Sequence, residues 1–315
     1  MKMTRRHAAE ALLAAAAAGF CPALALARAG VPEPPTLPTA PPPEDSRLDG
    51  GHDAFDHMTV PVMLNGQGPF PFMVDTGANI SCVARRVADA LALPTRPARQ
   101  VHTVVTARPQ PLVLIAELQV GAQTRRDMSA LSLAIDDPRL GGVLAVDWLQ
   151  NQRLTLDFAR NSLEFAPSRH EYGRPGRVVV SARRRHGQLT IVEALLGDRS
   201  IAALIDSGSE VSLCNASLRA LLDRMGATQP RREVVNMVSI LGEAFAGEMI
   251  YLPFLRLGGL QLGNVPVVES DSHAFDVWGV ADTPAVLLGM DLLRQFRAVS
   301  LDFGRSQVRF DLAEA

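Results

Sequence analysis

The sequence predicts a mainly β protein of two tandem lobes with short helices. Three observations carry this. The apolar run Phe72-Met73-Val74 ends in Asp75-Thr76-Gly77-Ala78-Asn79, and Ala203-Leu204-Ile205 ends in Asp206-Ser207-Gly208-Ser209-Glu210. The same downstream landmarks follow each acid in the same order. From about residue 53 onward the pattern is one of short apolar segments separated by turn signals. Together they read as an internal duplication.

Taken in order, the chain begins with a segment outside the fold. Thr4-Arg5-Arg6 precedes an alanine-rich apolar stretch at 11–20, and Ala25-Leu26-Ala27 offers a small-x-small cleavage site. Residues 1–27 therefore read as a signal peptide, similar to a twin-arginine export signal, with ordinary Sec export left open because His7-Ala8-Ala9 follows the arginines. The apolar stretch is shorter than the roughly 20 residues of a membrane span and carries Pro22 nearby, so no stable span is expected after cleavage. This address is periplasmic or secreted, in a bacterium. Residues 28–52 are proline-rich and without apolar periodicity, and read as a linker.

The first repeat is expected over 53–168. Residues 59–64 form a strand that turns at Asn65-Gly66, a strong hairpin signal, and 70–74 return to deliver Asp75. Residues 83–93 have helical spacing, and further strands are expected at 101–106, 111–120 and 129–135. The repeat closes with Gly142-Val143-Leu144-Ala145-Val146-Asp147 and Leu156-Asp157-Phe158. The second repeat, 177–315, runs through the same order: a hairpin into Asp206, then Val286-Leu287-Leu288-Gly289-Met290-Asp291, then Leu301-Asp302-Phe303. The two acids stand 131 residues apart, whereas Asp147 and Asp291 stand 144 apart, so the second half holds an insertion, placed partly around 271–283.

Composition excludes several classes. A net charge of −2 gives no electrostatic argument for nucleic acid or an anionic membrane. Arg183-Arg184-Arg185 reads as a solvated hairpin tip. The histidines show no metal-ligand spacing, and no phosphate-binding glycine loop or nucleophile elbow is present, so neither metal nor cofactor is expected. Cys82 and Cys214 follow the two acids at nearly equivalent places and read as buried free thiols in separate lobes. Asp147 and Asp291 precede short apolar segments and read as helix N-caps. Asp157 and Asp302 are expected to face solvent or a turn.

Each Asp-Thr/Ser-Gly site puts a carboxylate at the end of a rigid strand, where glycine permits a tight turn and solvent is partly excluded. A single such triplet arises by chance on the order of once in several chains of this length; two in matched contexts suggest a pair built to meet.

These motifs, with the apolar-apolar-Gly-x-Asp segment downstream and the run Val60-Pro61-Val62-Met63-Leu64-Asn65-Gly66 upstream, resemble the retropepsin-like aspartic proteases, bacterial exported members in particular. The resemblance covers nearly all of 55–312, twice over. It implies a bilobed acid-protease fold, two retropepsin-like subunits fused in one chain, and an endopeptidase in which Asp75 and Asp206 share a proton and activate water. It further implies that Thr76 and Ser207 lock the two loops together, that Gly77 and Gly208 allow close approach, and that Ala78, Asn79, Ser209 and Glu210 meet the substrate backbone. Flaps are expected near 101–106 and 234–247, the second more mobile for its Gly242 and Gly247. The partner is a peptide or protein substrate, and the assembly a monomer with pseudo-twofold lobes, a homodimer remaining open. One departure, Ala145 where the family has glycine, motivates an alternative: a protease-fold module that binds extended peptides or a partner protein without cutting.

Overall fold

The computed structural model describes residues 46–53, 57–185, 188–191, 194–227 and 233–313. The expected signal peptide and most of the expected linker lie outside these residues. Among the described residues no helix is long and apolar enough to cross a membrane.

The strands open where composition reads linker: β1 (Ser46–Asp49) and β2 (Gly51–His52). Backbone pairing at a sheet edge accounts for them, since β1 lies along β11 and β2 along β3 without needing apolar alternation. β3 (Met58–Leu64) and β4 (Gln67–Val74) form the hairpin into Asp75. Asn65 and Gly66 turn it with φ of 49° and 75°, the left-handed pair that matches strand twist. β5 (Cys82–Ala84) and α1 (Arg85–Ala90) follow, then the long hairpin β6 (Thr95–His102) and β7 (Ala107–Val120), then β8 (Gln123–Leu133) and β9 (Gly142–Leu144). β4 lies parallel to β9, with Val74 opposite Leu144, and β5 runs antiparallel on the other side of β9.

β10 (Gln152–Asp157) and β11 (Ser162–Pro167) close the first half, and β12 (Arg177–Arg185) opens the second. Then come β13 (Gln188–Ile191), β14 (Ala194–Leu196), β15 (Arg199–Ser200) and β16 (Ala202–Ile205), which leads to Asp206. β17 (Leu213–Cys214), α2 (Ala216–Arg224), the hairpin β18 (Glu233–Val238) and β19 (Ala244–Leu257), and β20 (Leu260–Glu269) repeat the first-half order. The insertion contributes α3 (His273–Val277) before β21 (Ala285–Leu288), α4 (Met290–Leu293), β22 (Ala298–Asp302) and β23 (Gln307–Asp311). β16 lies parallel to β21, with Ile205 opposite Leu288, as Val74 lies opposite Leu144. Both strands are apolar throughout because both faces are covered.

The two halves share a sheet in the order β1-β11-β10-β22-β23-β12. Thr155 of β10 sits directly opposite Ser300 of β22, and their hydroxyls are 2.7 Å apart. These residues are 145 apart in sequence, the same spacing as the two Leu-Asp-Phe triplets. Equivalent residues therefore face each other, and the pseudo-twofold axis passes between them. Beneath this sheet Arg153 is buried and bonded to Glu164 and Glu171 at 3.1 and 2.9 Å, and Arg309 holds Glu171 from the other side. The three guanidiniums of Arg309, Arg153 and Arg177 keep the Glu171 carboxyl below its ordinary range despite burial, which alone would raise it.

Asp302 differs from its expected solvent-facing alternative. It is buried and accepts from the amides of Gly304 and Arg305 and from Ser168, so it closes the turn between β22 and β23. Arg183 and Arg184 are exposed at the end of the β12–β13 hairpin, and both Cys82 and Cys214 are buried and free.

Candidate active site

Two strands that end in the middle of the molecule build the site. The Asp75 amide donates to Leu144 at 2.9 Å and the Asp206 amide to Leu288 at 3.1 Å, so each acid is fixed by the strand beside its own. The Asp75 carboxylate accepts from the amides of Gly77 and Ala78 at 2.7 and 3.0 Å; that of Asp206 accepts from Gly208 at 2.8 Å. The two carboxyls are hydrogen-bonded to each other across the pseudo-axis.

The hydroxyl residues cross over to hold the loops together. Thr76 Oγ1 donates to the Ile205 carbonyl and accepts from the Ser207 amide; Ser207 Oγ donates to the Val74 carbonyl and accepts from the Thr76 amide. All four bonds fall between 2.8 and 3.1 Å and are buried. The glycines are required by proximity: a Cβ on Gly77 would lie 2.5 Å from both carboxylate oxygens of Asp206, and one on Gly208 within 2.6 Å of those of Asp75.

Burial raises the carboxyl of Asp75 above its ordinary range, against the pull of the Asp206 hydrogen bond and of the Gly77 and Ala78 amides. Asp206 is raised well above it, first by burial and then by the adjacent Asp75 charge. Burial and mutual proximity therefore disfavour two charges at once, and the pair shares one proton, with Asp206 the more strongly raised partner. A half-buried carboxyl, Asp75, beside a buried one, Asp206, sharing one proton, can accept a proton from water and give one to a carbonyl oxygen.

The comparisons with known proteins agree with this geometry. A family model described as "Aspartyl protease" matches residues 60–148 and again 192–292, well over half of the chain. The chain belongs to the retropepsin-like aspartyl protease family. Each match holds one acid and one downstream Asp segment. No curated protein is significantly similar to the chain. Among solved structures, conglutin gamma, a basic 7S globulin from lupine seeds, is similar in fold: TM-score 0.51 at 11% identity, covering 86% of this chain and 96% of that one.

In this aspartyl protease chain the N-cap expectation for Asp147 and Asp291 is corrected. α4 starts from Gly289 without a side-chain cap. Asp291 instead accepts from the Ser212 amide and hydroxyl at 3.0 and 2.7 Å, and Asp147 from those of Ser81 at 3.0 and 2.6 Å. Each serine in turn accepts the amide of Gly289 or Ala145, both at 3.0 Å. Two matching clamps thus hold the loops behind Asp75 and Asp206. Ser81 and Ser212 were not singled out by sequence reasoning, although both stand six residues after their acid. The methyl of Ala145 does not disturb its clamp, while a Cβ on Gly289 would strike the Val211 backbone at 2.6 Å.

Of the remaining expected residues, Asn79 and Glu210 are exposed on their loops. Ser209 Oγ is committed to the Val211 carbonyl, and the Ala78 and Ser209 carbonyls accept the amides of Val146 and Met290. A further group, His57, was missed. It is buried at the start of β3, its ring and amide are held by Asp53 at 2.9 Å, and its charge when protonated favours the Asp75 anion. Only strand pairing brings it there, because β3 runs antiparallel beside β4.

The two flap hairpins are β6–β7 and β18–β19. Gly242 takes φ of 77° in the second tip, as a tight turn needs. Gly247 is not a hinge: its Cα presses on β20, where a Cβ would meet Val268 and the Glu269 carbonyl. Among the described residues no group of three or more His, Cys, Asp or Glu side chains gathers as a metal site.

Proposed function

We propose that this protein is a single-chain aspartic endopeptidase acting on extended peptide or protein substrates, exported to the periplasm or secreted. The observation that carries this reading is the hydrogen-bonded pair of carboxyls, half-buried Asp75 and buried Asp206, held by the reciprocal Thr76–Ser207 bonds. Asp75 accepts a proton from water as the water oxygen bonds to the scissile carbonyl carbon, and Asp206 gives its proton to the carbonyl oxygen. The tetrahedral diol then collapses: the C–N bond breaks, the amine leaves with the proton held by Asp75, and a diol hydroxyl returns its proton to Asp206.

The alternative, a module that binds peptides without cutting, was motivated by Ala145. The intact Ser81 clamp around Ala145 removes that motive. Profiling a peptide library with wild type beside Asp206→Asn and Asp75→Asn tests the assignment. Each replacement is expected to lower turnover by about 10³-fold or more, within the range for removing an acid or base. Wild type that binds peptides over a wide pH range without turning any over would establish the binding module instead.

A further inference from the structure

The first-lobe flap does not end in free solvent; it docks on the second lobe. Its tip, residues 103–106, meets two second-lobe features. One is the other flap tip, where Thr103 Oγ1 donates to Glu243 at 2.9 Å and Arg108 stands 3.4 Å from the same carboxylate. The other is the insertion around α3, which has no counterpart in the first lobe. There the Val104 carbonyl accepts from the His273 amide at 2.9 Å and from Ser272 Oγ at 3.1 Å. The Val104 side chain packs on an apolar cluster containing Phe275 and Trp278. Beside it, His102 Nδ1 lies 2.8 Å from His273 Nε2, with the rings stacked at 5.1 Å between centroids.

We propose that these contacts form an acid-released latch, in which double protonation of His102 and His273 frees the first flap from the α3 insertion and opens the cleft to substrate. At 2.8 Å the two nitrogens can share one proton but not hold two. A neutral pair, or a singly protonated one, keeps the bond; a second proton makes both nitrogens donors and sets two like charges in contact. The groups facing the pair are Asp276, 3.5 Å from His273 Nδ1, and Glu243 and Arg108 at the neighbouring tip. The Asp276 carboxylate can pair with one charge on His273, so opening waits for the second proton.

Its consequence for catalysis rests on the proposed peptidase reading, but the test reads no turnover. Amide hydrogen exchange of His273, whose N–H donates to Val104, is followed as pH is stepped down from about 7.5, each value corrected for intrinsic rate. The range ends where amides of the β10–β22 ladder begin to lose protection, so global unfolding does not enter. Wild type is expected to lose protection at least about tenfold within that range. H102Q and H273Q, each unable to form the doubly charged pair, are expected to keep it. Protection that persists in wild type across the range, or is lost equally in both variants, overturns the proposal.

Discussion

At the scale of single residues, the site is an exercise in unequal treatment of two like groups. Asp75 and Asp206 have matching strands and turns by symmetry, and each draws on two amides, Gly77 and Ala78 for Asp75 and Gly208 and Gly77 for Asp206, yet burial and the adjacent Asp75 charge raise Asp206 the further. The raised carboxyl has a thermodynamic sign. A carboxyl raised in the folded state binds its proton more tightly there than in the unfolded chain, so its contribution to stability is greatest below the unfolded value of about 3.9 and is lost as pH rises. Asp206 is the more strongly raised, through burial. Asp206→Asn should therefore melt at a higher temperature than wild type, by a margin that widens from about pH 4 to about pH 8. A margin that is flat with pH, measured by calorimetry, would contradict a raised Asp206 carboxyl.

At the scale of elements, the loops after each strand are what hold the acids still. Thr76→Ala removes the acceptor for the Ser207 amide and the donor to the Ile205 carbonyl, both buried. Leaving such groups unpaired costs about 1–3 kcal/mol each. Thr76→Ser, which copies the second lobe, should restore nearly all of it in denaturant unfolding. Both loops and the duplicated order were legible in the sequence because each consists of a local run with a fixed offset. Ser81 and Ser212 were legible in the same way, by the shared 131-residue spacing, but a serine in a loop carries no signal until its acceptor is known. Asp147 and Asp291 were misread because a carboxylate before a short apolar segment looks the same whether it caps that segment or reaches 66 or 79 residues back along the chain. His57 was invisible, since only an antiparallel register puts it beside Asp75. Gly247 was read for freedom when it is present for closeness.

At the scale of the whole molecule, both acids and both flaps come from one chain, and the lobes are joined by continuous β pairing through β10 and β22. The site is then complete without a second copy. Specific activity should be independent of protein concentration from about 1 nM to 1 µM, with a single-chain mass by light scattering. Activity that falls on dilution, together with a two-chain mass, would instead support pairing between molecules. The latch could not be foreseen in the sequence: an insertion is visible as a change of offset, but not where it lands.

The facing pair Thr155 and Ser300 has a further meaning. In an arrangement of two identical chains, any change off the axis is felt twice, and any change on the axis confronts its own copy. A single chain lifts the first restriction and keeps the second in weakened form, because two small hydroxyls still suit each other across the axis. Away from it the lobes have been free to specialise one at a time. Among the described residues, the buried Arg153 and the Asp53–His57 pair belong to the first lobe, and the Phe275 and Trp278 side chains to the second. In this molecule, distance from the pseudo-axis measures how independently a residue can be changed.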